Sequence, residues 1–129
     1  MGQTQLLLVI LGVILVGIAI YVGVSMFQAN AVEDTRNAII TDLGNFAARA
    51  RAYYWKPLSQ SGGNKSFANV TINQIYPMGE NANARYFIES AAQDNCVIMG
   101  VGRIVASNGD SIRVRVRVTE TRNITEIVN

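Results

Sequence analysis

Residues 6–27 read LLLVILGVILVGIAIYVGVSMF, twenty-two positions without a charged side chain. As an α-helix such a run extends about 33 Å at 1.5 Å per residue, which matches the hydrocarbon core of a bilayer. It can be a secretory signal peptide, a permanent membrane anchor, or a helix buried among other helices. The signal-peptide reading has Ala29-Asn30-Ala31 as a small-x-small cleavage pattern. Against it, the run exceeds the apolar core of about 7–15 residues that such peptides use, and basic residues should precede it. No Lys or Arg occurs before Arg36. The anchor reading fits the length and lacks the basic flank that orients such helices. The first charged side chains are Glu33 and Asp34, and the positive group ahead of them is the α-amine of Met1.

The residues beyond this run favour the third reading. Val32, Arg36, Ile39, Ile40, Leu43, Phe46, Ala47, Ala50, Tyr53 and Tyr54 recur at steps of three and four, the period of an amphipathic helix. Glu33, Asp34, Asp42, Arg49 and Arg51 can take the other faces. No proline intervenes before Pro57, where a helix should stop. The sequence therefore predicts one helix over residues 1–57, of about fifty residues and roughly 75–80 Å. Its first part, 1–31, is apolar all round and must be surrounded by membrane or by copies of itself. Its second part, 32–57, is apolar on one face and must pack on its own globular domain.

Residues 58–84 are rich in Ser, Gly and Asn and read as a connecting loop with one short turn or strand near Val70–Tyr76. From Arg85 the pattern changes to strands: Arg85–Ala91, Asn95–Ala106, Ser111–Thr119 and a last short one within Thr121–Val128. Ser111–Thr119 alternates strictly, with Ile112, Val114, Val116 and Val118 on one face and Arg113, Arg115 and Arg117 on the other. Ser107-Asn108-Gly109-Asp110 before it holds the Asn-Gly pair of tight type I′ turns. The expected fold class is α+β: a long N-terminal helix on a small antiparallel sheet over 85–129, which forms one globular unit with 32–57.

The 129 residues carry a net charge of +2 and mixed signs. That gives no nucleic-acid footprint, and no basic arm or helix-turn-helix accompanies it. Histidine is absent, which removes the commonest general base and zinc ligand together. No Gly-rich phosphate loop or CxxC occurs. No enzyme, cofactor or metal site is expected. Cys96 is alone, so no intramolecular disulfide can form, and its apolar neighbours mark it as a core residue. The arginine row reads first as the solvated face of a half-buried strand, with pairing to a neighbouring subunit and, behind it, nucleic-acid binding as the alternatives. Tyr53-Tyr54-Trp55 can line a conducting filament or, more simply, close the helix and pack on the sheet. Asn64-Lys-Ser, Asn69-Val-Thr and Asn123-Ile-Thr are N-x-[ST] sequons, acceptors for N-glycosylation wherever a host modifies its surface proteins.

Met1, a short polar lead-in and then LLLVILGVILVGIAI resemble the mature end of a processed type IV prepilin. AVEDTRNAIITDLGNFAARARAYYWKP followed by SQSGGNKSF is similar to short bacterial pilins of that family, over about the first seventy residues. The resemblance implies a major-pilin subunit of a cell-surface filament, a type IV pilus. It implies self-association as a helical homopolymer and residence in the cytoplasmic membrane before assembly. It also implies a prepilin peptidase that removes a leader, leaving Met1 as the mature N-terminus, and a pilus assembly machinery that extracts subunits. The residues it places in the filament core are Met1, Gln5, Leu6, Leu7, Leu8, Val9, Ile10, Leu11, Val13, Ile14, Leu15, Val16, Ile18, Ile20, Tyr21, Val24 and Phe27. The family usually carries Glu where this chain has Gln5. A neutral amide costs less to bury than a carboxylate but cannot form an ion pair with a neighbouring amine. Gly12, Gly17 and Gly23 allow close helix approach and weaken the helix by about 1 kcal/mol each relative to Ala. On assembly, residues 15–24 either stay helical or stretch or melt locally. Two other readings share these features: a single-pass membrane protein with a small extracytoplasmic binding domain, and a pseudopilin or minor pilin of a secretion or uptake machine.

Overall fold

A computed structural model describes residues 2–106 and 108–129. The expected filament-core position Met1, and Ser107 of the expected tight turn, lie outside the described residues. Helix α1 runs Gly2–Trp55, followed by a 3-10 turn at Leu58–Gln60 and a one-turn helix α2 at Ile72–Ile75. Four strands complete the chain: β1 (Ala84–Ala91), β2 (Asn95–Val105), β3 (Ser111–Thr119) and β4 (Asn123–Ile127). They form an antiparallel meander in the order β1-β2-β3-β4, so the fold is α+β as the patterning predicts. Helix α1 ends two residues before Pro57, and the turn or strand expected near Val70–Tyr76 is helical. There Gln74 Oε1 accepts from the Thr71 N–H at 2.9 Å, the reciprocal half of a capping box.

The chain divides into two compact units, Met1–Ala31 and Val32–Asn129. The described residues of the first are helix alone. The second holds the whole buried core, which runs from Ile39 to Val118. Within it the apolar stripe of α1 (Ile39, Leu43, Phe46, Ala47, Ala50, Tyr53, Tyr54) is buried, together with the inward residues of the sheet: Ala84 and Tyr86, Cys96 and Ile98, and Ile112 to Val118 at alternate positions. The period of 3.6 on the helix and of 2 on the strands select these residues.

Two strand glycines set the helix–sheet distance. A Cβ on Gly100 would lie 2.8 Å from Ile39 Cγ2 and 2.9 Å from Tyr86 Cε1. A Cβ on Gly102 would lie 3.1 Å from Ile112 Cβ and 3.2 Å from Ile39 Cδ1. Glycine inside a strand often marks such a close approach.

The Gly-rich segment after α1 returns to close the helix end. Gly63 N–H donates to Tyr53 C=O at 2.8 Å, Lys65 N–H to Tyr54 C=O at 2.7 Å, and Asn64 N–H to Lys56 C=O at 2.8 Å. Carbonyls that a helix C-terminus leaves without intrahelical partners are thereby satisfied. The reversal places Ser61, Asn64 and Lys65 at positive φ. It also brings Gly63 so close to the Ser66 carbonyl that a Cβ would sit 2.0 Å from it.

A polar pin joins the later loop to α1. Tyr86 Oη donates to Asp42 Oδ2, and Asn81 Nδ2 and Asn83 Nδ2 donate to the same oxygen at 3.0 and 3.4 Å. Burial first, then the Asp42 hydrogen bond, push the Tyr86 phenol far above its usual range. At the expected tight turn, Gly109 has φ +89°. Gly109 N–H donates to Ala106 C=O at 3.0 Å and Ala106 N–H to Asp110 C=O at 2.8 Å. Gly109 thus takes the left-handed position that favours glycine.

Candidate functional site

The first unit presents the surface that the sequence singles out. All of residues 2–30 are exposed except half-buried Gly12. Seventeen large apolar side chains between Leu6 and Phe27 are exposed, from 47% at Val22 to 75% at Tyr21 and Phe27. Every expected core position from Leu6 to Phe27 is among them, and Gln5 lies in the same exposed turn. Val22 and Met26 belong to the same surface and were absent from the sequence-based set. The signal was present, since both stand in the same charge-free run.

This surface can be covered by lipid or by protein, and its chemistry suits either. An α-helix satisfies its backbone groups internally, as an apolar medium requires. The one hydroxyl-bearing aliphatic side chain in the run, Ser25, donates back to Tyr21 C=O at 2.9 Å. The helix is long and apolar enough to cross a membrane. Full burial of a large apolar side chain stabilises by about 1.5–3 kcal/mol, so seventeen that stay half-exposed or more represent tens of kcal/mol left unrealised in the single chain. Gly12, Gly17 and Gly23 meet nothing: a Cβ at any of them would find no atom within 4 Å. Nothing inside the chain requires glycine there, and residues 15–24 are α-helical in the single chain.

The arginine row lies on the sheet face opposite α1. Arg115 sits between Glu89 at 3.8 Å and Glu126 at 3.9 Å. Arg113 and Arg117 are exposed and make no ion pair among the described residues. Val97 and Met99, opposite Arg117 and Arg115 in register, are buried on that same face. The row is thus a solvated face with one bridging arginine. In the aromatic triplet, Tyr53 and Tyr54 are buried and Tyr54 stacks on Phe67 with centroids 4.7 Å apart. Trp55 is half-exposed, with the Lys65 ammonium 5.9 Å from its ring centroid. The triplet closes the helix end, which is a packing role.

Cys96 is fully buried in the core and its thiol is pushed up to about 11 by burial. Among the described residues no group of three or more His, Cys, Asp or Glu could hold a metal ion. Asn64, Asn69 and Asn123 are all exposed. Asn64 and Asn69 lie on the segment after α1, and Asn123 opens β4 with its Oδ1 accepting from Arg51. No protein-family model, curated protein or solved structure matches this chain.

Proposed function

We infer that the chain is a structural subunit that polymerises through its apolar N-terminal helix into an extracellular filament of the type IV pilus kind. The observation that carries the reading is the continuous, uncharged, exposed surface from Leu6 to Phe27, joined in sequence to a unit that has its own complete core. Before assembly lipid covers this surface, and in the filament equivalent helices of neighbouring copies cover it. The exchange keeps apolar area out of water throughout. Contacts between non-equivalent surfaces that do not close on themselves produce an open helical fibre. The role is mechanical and uses no catalytic residue, cofactor or nucleic acid. It requires a peptidase and an assembly machine of the kind the resemblance implies.

The length of the helix also favours a second reading, a single-pass membrane protein whose small domain stands outside the membrane. Filaments formed by the unaltered chain separate the two, and Leu11→Lys and Ile14→Lys test whether this helix packs the filament core. A lysine near a bilayer centre costs only about 2.5–3.5 kcal/mol on insertion scales and can reach towards the interface. In a packed helical core the same charge has no such escape, and the penalty recurs in every copy. The variants should remain in the membrane fraction and form no filaments. Normal filaments from either variant would overturn the proposal.

A further inference from the structure

The three sequons differ in how far folding leaves their acceptor amides free. Glycosyl transfer to asparagine requires the Nδ2 amide to reach a donor sugar and the tripeptide to be accessible on a surface loop. Asn123 fails this in the folded domain. It is paired with Val118 in the β3–β4 ladder, and its side-chain oxygen is held by Arg51. Asn64 is exposed but its tripeptide is tied to the end of α1. Asn64 and Lys65 are both left-handed, and their N–H groups donate to Lys56 and Tyr54 carbonyls. The third residue, Ser66, is half-buried and its Oγ accepts from Ala68 N–H at 3.1 Å.

Asn69 is different. It is exposed, outside every helix and strand, in the turn closed by Val70 N–H to Phe67 C=O at 3.1 Å. Its side chain makes no hydrogen bond among the described residues, in contrast to Asn123, whose Oδ1 accepts from Arg51. Thr71, two residues on, is exposed and extended, with φ −121° and ψ 157°. Its hydroxyl bonds within its own turn, donating to Gln74 Oε1 at 3.2 Å as part of the capping box that opens α2.

We propose that Asn69 is an N-glycosylation site, and the one of the three sequons that is modified on the folded domain. The inference rests on the reading that residues 32–129 lie outside the cytoplasm. The co-reactant is an oligosaccharide linked to a lipid pyrophosphate. Asn69 Nδ2 attacks the anomeric carbon, the new C–N bond replaces the bond to the pyrophosphate oxygen, the lipid pyrophosphate leaves, and Nδ2 gives up one proton to a base of the transferase.

The test is glycopeptide mapping by mass spectrometry on full-length protein taken from its native cells, with surface-sheared, membrane and cytoplasmic fractions kept apart. The expected result is a sugar-sized mass excess of hundreds of daltons on the peptide containing Asn69. It should be lost in Asn69→Gln and in Thr71→Ala and kept in Thr71→Ser. Because Thr71→Ala also alters the α2 turn, Asn69→Gln, an exposed side chain with no bonds to lose, is the deciding variant. An unmodified Asn69 in exported protein would overturn the proposal while leaving the filament reading intact. So would a glycan on Asn64 or Asn123 with Asn69 bare. Protein found only in the cytoplasm would overturn both.

Discussion

A single methyl group, added at two glycines, should change stability in opposite directions. Gly44 lies in the middle of α1, is exposed, and a Cβ there meets nothing within 4 Å. Gly44→Ala should therefore stabilise by the intrinsic helix difference, about 1 kcal/mol. Gly100 lies in β2, and its Cβ would fall 2.8 Å from Ile39 Cγ2, 2.9 Å from Tyr86 Cε1 and 3.1 Å from Tyr86 Cδ1. Carbon atoms at rest stand about 3.5–4.0 Å apart, so helix and ring must retreat by roughly 0.5–1 Å. Neither yields easily: Ile39 is fully buried, and the Tyr86 ring packs edge-on to Phe46 at 4.7 Å while its hydroxyl is held by Asp42. Overpacking of this kind costs about 1–3 kcal/mol, against which the lost backbone entropy of glycine returns about 0.5–1 kcal/mol. The net is a destabilisation on the order of 1–2 kcal/mol.

The assay is thermal unfolding of the 32–129 domain, whose core is self-contained. For a domain of this size about 1 kcal/mol moves Tm by roughly 4–8 °C. Gly44→Ala should raise Tm by several degrees, and Gly100→Ala should lower it by roughly 5–15 °C on the same scale. If both substitutions raise Tm, the close helix–sheet approach is refuted, because glycine would then be costing β2 entropy for no steric reason.

Other consequences are open to test. Asp42→Ala removes the acceptor shared by Tyr86, Asn81 and Asn83 and leaves a buried phenol without a partner, for about 1–3 kcal/mol lost on denaturant unfolding. Stability should also fall at high pH. Tyr86 and Cys96 are both raised in the folded state, so their contribution is complete below the unfolded pKa values and is lost as pH rises. The loss begins near pH 9, the ordinary value for the Cys96 thiol, and continues through about 11. Cys96→Ala should flatten the lower part of that decline in a series of unfolding midpoints. Gly63→Ala drives a Cβ to 2.0 Å from the Ser66 carbonyl. It should cost more than Gly100→Ala and speed hydrogen exchange at Lys65, whose N–H closes the helix end.

Much of this fold is legible in the residues because simple periods dictate it. The steps of three and four from Val32 to Tyr54 mark the buried stripe of α1. The strict alternation of Ser111–Thr119 gives β3 with the observed bounds and faces. Less legible is what depends on distant partners. Nothing local in SQSGGNKSF says that its amides will bond the carbonyls of Tyr53, Tyr54 and Lys56, and nothing near Asp42 announces Tyr86, forty-four positions away. The Gly100 and Gly102 pair was readable in principle. Two glycines at a spacing of two in an apolar strand put both on one face, where only a close neighbour explains the missing side chains. The candidate surface was visible as composition, since an uncharged apolar run needs no tertiary information. What covers it does not reside in one chain, and so neither the sequence nor the fold of a single copy contains it.

The most direct test of the central claim is the N-terminal sequence of the natively produced protein recovered from material sheared off the cell surface. Filament assembly requires a chain that begins at Met1 and retains Leu6–Phe27 outside the membrane. A chain that begins at Val32 would show the apolar helix to be a discarded signal peptide, and the filament account would be contradicted.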